Sequence, residues 1–169
     1  MGFLFIIVLF VLSLGVTIGG IAAAMKLVPP ILMLVTMGCC FLFFSYAGMF
    51  IALIGPSWLG FRFLDIIIAI CSFLFIIATV RSYHPAFGYQ LFIKPYGIIL
   101  ASLFFFMGVQ WGMLGFGTFF TLSMAILFVG AVFFGILLYN SILLWVKNIY
   151  VAAFLPLVSF LFIAVIKLL

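Results

Sequence analysis

The chain carries one acidic side chain, Asp65, in 169 residues. It has one histidine, His84, and only 4% charged residues in all. Each scarcity excludes something. A soluble surface needs roughly 25–35% charged residues, so this composition cannot build a water-soluble domain of this length. A single carboxylate cannot supply the paired acid and base of carboxylate-based hydrolysis. A single histidine excludes bis-histidine haem ligation and multi-histidine metal sites within the chain. No phosphate-binding glycine loop, nucleophile elbow or metal motif is present. Cys39, Cys40 and Cys71 all fall inside apolar runs, where a free thiol behaves as a small hydrophobe. We therefore expect no catalytic residue, no cofactor and no metal, and a protein that is not itself an enzyme.

What is present is apolar. Hydrophobic residues make up 72% of the chain, Phe alone contributes 25, and the mean hydropathy is +1.73. An ordinary globular protein is about 45–50% apolar and about 25% charged. The excess runs from end to end, so lipid or other apolar protein must serve as solvent. At about 20 residues per crossing, the length allows roughly six helices with short loops. Transmembrane β-strands would alternate apolar with polar residues, whereas these apolar runs are continuous. The fold class is thus all-α: a single polytopic transmembrane domain over residues 1–169.

Prolines, glycines and charges mark the spans. The first runs from about Phe3 to Met25, before Lys26 and Pro29-Pro30. The second covers Pro30 to Ile54 and stops at Gly55-Pro56. Proline suits the first turn of a helix and ends one elsewhere. The third begins near Gly60 and ends before Arg81. Residues Arg81 to Pro95 form the longest and most polar connection. The fourth spans Tyr96 to Met113, the fifth Thr118 towards Trp145, and the sixth Ile149 to Leu169. Within the first span, the apolar stretch Phe3 to Ile21 is followed by Ala22-Ala23-Ala24, which looks like the cleavage site of a secretory signal. It lacks the basic start such a signal needs, so it reads as a retained helix.

The net charge is +5, yet the six basic residues are scattered singly. They read as topology signals, not as a nucleic-acid surface. Lys26, Arg81, Lys94 and Lys147 fall in alternate connections, which the positive-inside rule places on the cytoplasmic, matrix or stromal side. Both termini are then expected on the outer side. The membrane would be a bacterial or archaeal plasma membrane or an organelle inner membrane. Trp58, Trp111 and Trp145 fall near span ends, where amphipathic rings favour the headgroup region. Gln110-Trp111 is accordingly expected at the outer surface.

Four groups of residues are candidates for function. Arg62 and Asp65 are three apart near the start of the third span, a spacing at which helical side chains meet. They form a candidate ion pair or proton or ion site, because an intramembrane carboxylate is a functional candidate by default. Arg81, His84 and Lys94 lie in the polar connection and suit a lipid or quinone head group. Gly15, Gly19 and Ala23, with Gly108 and Gly112, repeat at every fourth position. Such small residues let helix backbones approach closely in lipid. Tyr46, Tyr139, Asn140 and Ser141 interrupt apolar spans and, with Thr17 and Ser45, are candidates to line a pathway.

A shift of 93 residues aligns Gly15-Val16 and Gly19 with Gly108-Val109 and Gly112, and Tyr46 with Tyr139. This is the pattern of a three-plus-three inverted repeat, although its identities barely exceed what composition produces. Two functions fit. The first is an integral membrane subunit of a larger energy-transducing or transport complex, packing beside a chain that carries the chemistry. The second is a small self-assembling channel or permease for a small or neutral solute. A lipid-handling role for the Arg81–Lys94 connection ranks behind both. Expected partners are the bilayer and other membrane subunits or copies of the chain, with no nucleic acid.

Overall fold

The computed structural model describes residues 2–25, 29–54, 60–84, 88–89, 94–146 and 149–168. Six helices account for nearly all of them: α1 (Gly2–Ala24), α2 (Pro30–Ile54), α3 (Phe61–Arg81), α4 (Lys94–Met113), α5 (Thr118–Val146) and α6 (Ile149–Leu168). Between α3 and α4, two short strands, β1 (Tyr83–His84) and β2 (Gly88–Tyr89), pair antiparallel, Tyr83 with Tyr89 and His84 with Gly88. The polar connection thus contains a hairpin, and α4 starts at Lys94, two residues before the Tyr96 start that hydropathy suggests. Five helices are long and apolar enough to cross a membrane, and α6 contributes the apolar run Phe154–Lys167. The chain is a polytopic, all-helical membrane protein.

The helices are apolar on every side, because lipid and core both exclude charge. Most of their described Ser and Thr hydroxyls bond back to the preceding turn, which satisfies them in lipid. Ser72 donates to the Ile68 carbonyl at 2.7 Å, Thr79 to Phe75 at 2.7 Å and Ser102 to Ile98 at 2.8 Å. Glycine and proline shape the ends. The α4–α5 turn is a Schellman cap: Phe116 N–H donates to the Trp111 carbonyl at 3.0 Å and Gly115 N–H to Gly112 at 3.1 Å. Gly115 sits at φ +74, a left-handed conformation that costs glycine nothing.

The helices pack as a closed ring. α1 lies along α5 and α2 along α4, α3 packs on α4 and α6 on α1, and α2–α5 and α3–α6 contacts complete the circuit. Exchanging the first three helices with the last three maps α1–α5 onto α2–α4 and α1–α6 onto α3–α4, and leaves α2–α5 and α3–α6 each in place, whereas the lesser α5–α6 and α1–α2 contacts have no counterpart of similar extent. The main contacts therefore follow an exchange of two three-helix halves. An odd number of crossings per half inverts the second half relative to the first. Phe41 of α2 stacks on Phe128 of α5 at 4.3 Å between ring centroids, with planes 9° apart. Each lies about three turns from its helix start, so this pair sits where the exchange maps the bundle onto itself. Phe104 meets both rings edge-on.

Glycine makes the two long contacts possible. A Cβ on Gly19 would strike the Val132 carbonyl, and one on Gly135 the Val16 carbonyl, across α1–α5. Across α2–α4, a Cβ on Gly48 would strike the Phe105 carbonyl and one on Gly108 the Ser45 carbonyl. Val16 and Val109 lie 93 residues apart, and Gly135 and Gly48 press on them in turn. With no hydrophobic drive between helices in lipid, backbone proximity of this kind supplies the association energy.

Candidate functional site

The six helices alternate in direction and give the bundle two ends. One holds the starts of α1, α3 and α5 and the finishes of α2, α4 and α6. We call it the termini end, and the other, which carries β1–β2, the hairpin end. The charged cluster lies at the termini end. Asp65 is about one turn inside α3, Gln110 about one turn before the close of α4, and Lys167 is in the last turn of α6. The Gln110 side-chain amide donates from Nε2 to Asp65 Oδ1 at 2.7 Å. Lys167 Nζ donates to Gln110 Oε1 at 2.8 Å. Lys167 Nζ also stands 3.9 Å from Asp65 Oδ1 and 4.6 Å from the centroid of the Phe10 ring of α1. The amide orientation follows from chemistry: reversing it would set the NH₂ against the ammonium and the carbonyl against the carboxylate.

Helix geometry explains why these groups meet. Each Cα–Cβ bond tilts toward its helix N-terminus. A lysine at the finish of α6 therefore points back into the bundle, where its stem runs over Phe10. Gln110 is fully buried because α4 is flanked by α2 and α3. Its neighbour Trp111 is also fully buried and packs on Phe41 and Phe120. The expectation of an outer-surface Gln110-Trp111 is thereby corrected: the Schellman turn, not Trp111, closes the helix. The Lys167 side chain is 5% exposed and that of Asp65 19%, so what access the cluster has is beside the carboxylate.

The sequence pairing of Asp65 with Arg62 is replaced. Arg62 is exposed, and the ion partner of Asp65 among the described residues is Lys167. Lys167 reads from sequence as a terminal topology charge, and nothing in its neighbours hinted otherwise. Gln110 left a usable signal, a carboxamide inside an apolar run.

The other candidates are dispersed. Gly15 and Gly19 face α5, Gly108 and Gly112 face α2, and Ala23 packs against the core. Tyr46 is at the termini end, its hydroxyl donating to the Thr118 carbonyl at 3.1 Å. Tyr139 is buried, whereas Asn140 and Ser141 are exposed further along α5. Thr118 and Tyr139 are 21 residues apart on α5, about 31 Å at 1.5 Å per residue, so these groups do not line one site. Ser45 is buried between α2 and α4, and its hydroxyl finds no hydrogen-bond partner among the described residues. Arg81 is exposed beside a cleft between α3 and α4. The His84 and Lys94 side chains lie outside the described residues. No cluster of three metal-ligating side chains occurs among the described residues.

The cluster is a chain of donors and acceptors, ammonium to amide to carboxylate, with no net charge. Taking two charges out of water is expensive, and only mutual pairing with further hydrogen bonds offsets the cost. It also joins the halves: Asp65 and Phe10 come from the first three helices, Gln110 and Lys167 from the last three. No protein-family model, no curated protein and no solved structure matches this chain.

Proposed function

We propose that the chain is a small permease of two inverted three-helix halves, in which Asp65, Gln110 and Lys167 form the polar centre. The observation that carries this reading is the ion pair itself. A carboxylate and an ammonium from different halves meet in a bundle that otherwise excludes charge. Transporters of inverted repeats hold their polar sites at the repeat interface, and intramembrane ionisable residues mark solute and proton paths. A neutral cluster that offers both donors and acceptors suits a small neutral solute with both, able to exchange its hydrogen bonds for those of Gln110. The Phe10 ring flanks the Lys167 ammonium on one side. The positive-inside bias supports the hairpin end facing the cytoplasm, matrix or stroma.

The competing expectation, a packing subunit of a larger complex, needs neither a repeat nor a buried ion pair. The test is reconstitution of the purified chain into vesicles, with glycerol and urea entry followed by light scattering. Entry faster than in protein-free vesicles is the expected result. No acceleration, with unlike chains co-purifying stoichiometrically in mild detergent, would contradict the permease and support the subunit.

A further inference from the structure

We propose that the cleft between α3 and α4 at the hairpin end binds an anionic phospholipid, with its phosphate on Arg81 and an acyl chain along Leu74, Ile77 and Ile99. The cleft has a volume of about 290 Å³, and the buried residues Ser82 and Tyr96 also line it. Its apolar wall continues the lipid-facing surface: Leu74 is 47% and Ile77 53% exposed. A lipid tail is what such a wall meets in a bilayer.

Charge accounting within the chain selects the head group. Asp65 is the only acidic residue, and it is engaged by Lys167 at the termini end. Asp65 and Arg81 are 16 residues apart on one helix, about 24 Å at 1.5 Å per residue. No other Asp or Glu exists to neutralise Arg81, which stands exposed at the mouth. Nor does Ser82 compete for the role of donor, because its hydroxyl already donates to the Ala78 carbonyl at 2.8 Å and approaches that of Thr79 at 3.1 Å. Among the described residues the guanidinium has no ion partner, and its planar fork matches phosphate oxygens bidentately. The remaining counter-charge must come from outside the chain, and the anionic leaflet supplies it at this depth. This site is independent of the permease reading.

The experiment uses the full chain, purified in mild detergent and stripped of lipid. Phosphatidylglycerol, phosphatidylcholine and inorganic phosphate are titrated separately, with binding read by native mass spectrometry and thermal stability. We expect phosphatidylglycerol to bind and raise the melting temperature, phosphatidylcholine to bind about fivefold more weakly, and inorganic phosphate to have no effect. Arg81→Gln should erase the preference, and Arg62→Gln, at the other end of α3, should keep it. Ile77→Trp, which fills the cleft and leaves Arg81 in place, should weaken retention of either lipid. Equal binding of the two lipids by the unaltered chain would overturn the proposal. So would a preference that survives Arg81→Gln or is untouched by Ile77→Trp, or a full stabilisation by phosphate alone.

Discussion

Two helix contacts occupy corresponding places in the halves and are built differently. Thr17 of α1 and Gln110 of α4 are 93 residues apart, and each reaches across to the third helix of the other half. Thr17 donates to the Ser13 carbonyl of its own helix at 2.8 Å and approaches the Pro156 carbonyl of α6 at 3.1 Å. Gln110 meets Asp65 of α3 and carries Lys167 behind it. At the α1–α6 contact a neutral hydroxyl meets a carbonyl beside a proline-interrupted turn, and Gly20 lets Pro156 come close. At the α4–α3 contact the same architecture accommodates a buried ion pair. The first contact demonstrates that packing at this place needs no charge. A charged group at the second is more than packing at the first requires, and this contrast is what favours the proposed solute-binding role.

Breaking the charged contact should have the largest effect. Lys167→Met leaves Asp65 with one neutral partner in a poorly hydrated place, and we expect a loss of about 3 kcal/mol, toward the lower end for a broken buried pair. Thermal unfolding in detergent checks it. The paired change Asp65→Leu with Lys167→Met removes both charges, and most of the lost stability should return, since apolar replacements of buried pairs are often neutral or better.

Next come the glycines that set helix separation. Gly108→Ala and Gly48→Ala place a methyl against a facing backbone carbonyl, and overpacking of this kind costs about 1–3 kcal/mol. Gly130 of the same α5 that carries Gly135 meets nothing within 4 Å. Gly130→Ala should be neutral or stabilise by up to about 1 kcal/mol through helix propensity. Equal losses at Gly108 and Gly130 would contradict the close-approach account. Of the helix contacts, the neutral one should be the least sensitive. Thr17→Val removes one hydrogen bond at constant shape, worth about 1 kcal/mol, and vesicle flux should persist where any change to the charged cluster abolishes it.

Much of the fold was legible in the sequence, because lipid imposes rules that composition displays. Continuous apolar runs, Pro30, Gly55-Pro56 and the glycines after Gln110 marked the helices to within a few residues. The spacing of Gly15 and Gly19, and of Gly108 and Gly112, marked the stripes that now face α5 and α2. Neighbour choice was not legible. In lipid the outward and inward faces of a helix are equally apolar, so periodicity cannot say which side is core. That is why Gln110-Trp111 reads as a surface pair and is fully buried. The repeat was equally faint, because it resides in which helices pack together and hardly at all in residue identity. Of the cluster, Asp65 stood out by its rarity. Its partners did not, since pairing Asp65 with Lys167 depends on α3 and α6 meeting at the closure of the ring.

The most direct measurement is glycerol and urea entry into vesicles carrying the Asp65→Leu, Lys167→Met double variant beside the unaltered protein. Melting temperature in the same detergent is the control for folding. We predict near-native melting and entry reduced to the protein-free level. A double variant that melts like the unaltered chain and still admits solute at the full rate would contradict a polar transport centre and leave the ion pair only a fastening between α3 and α6.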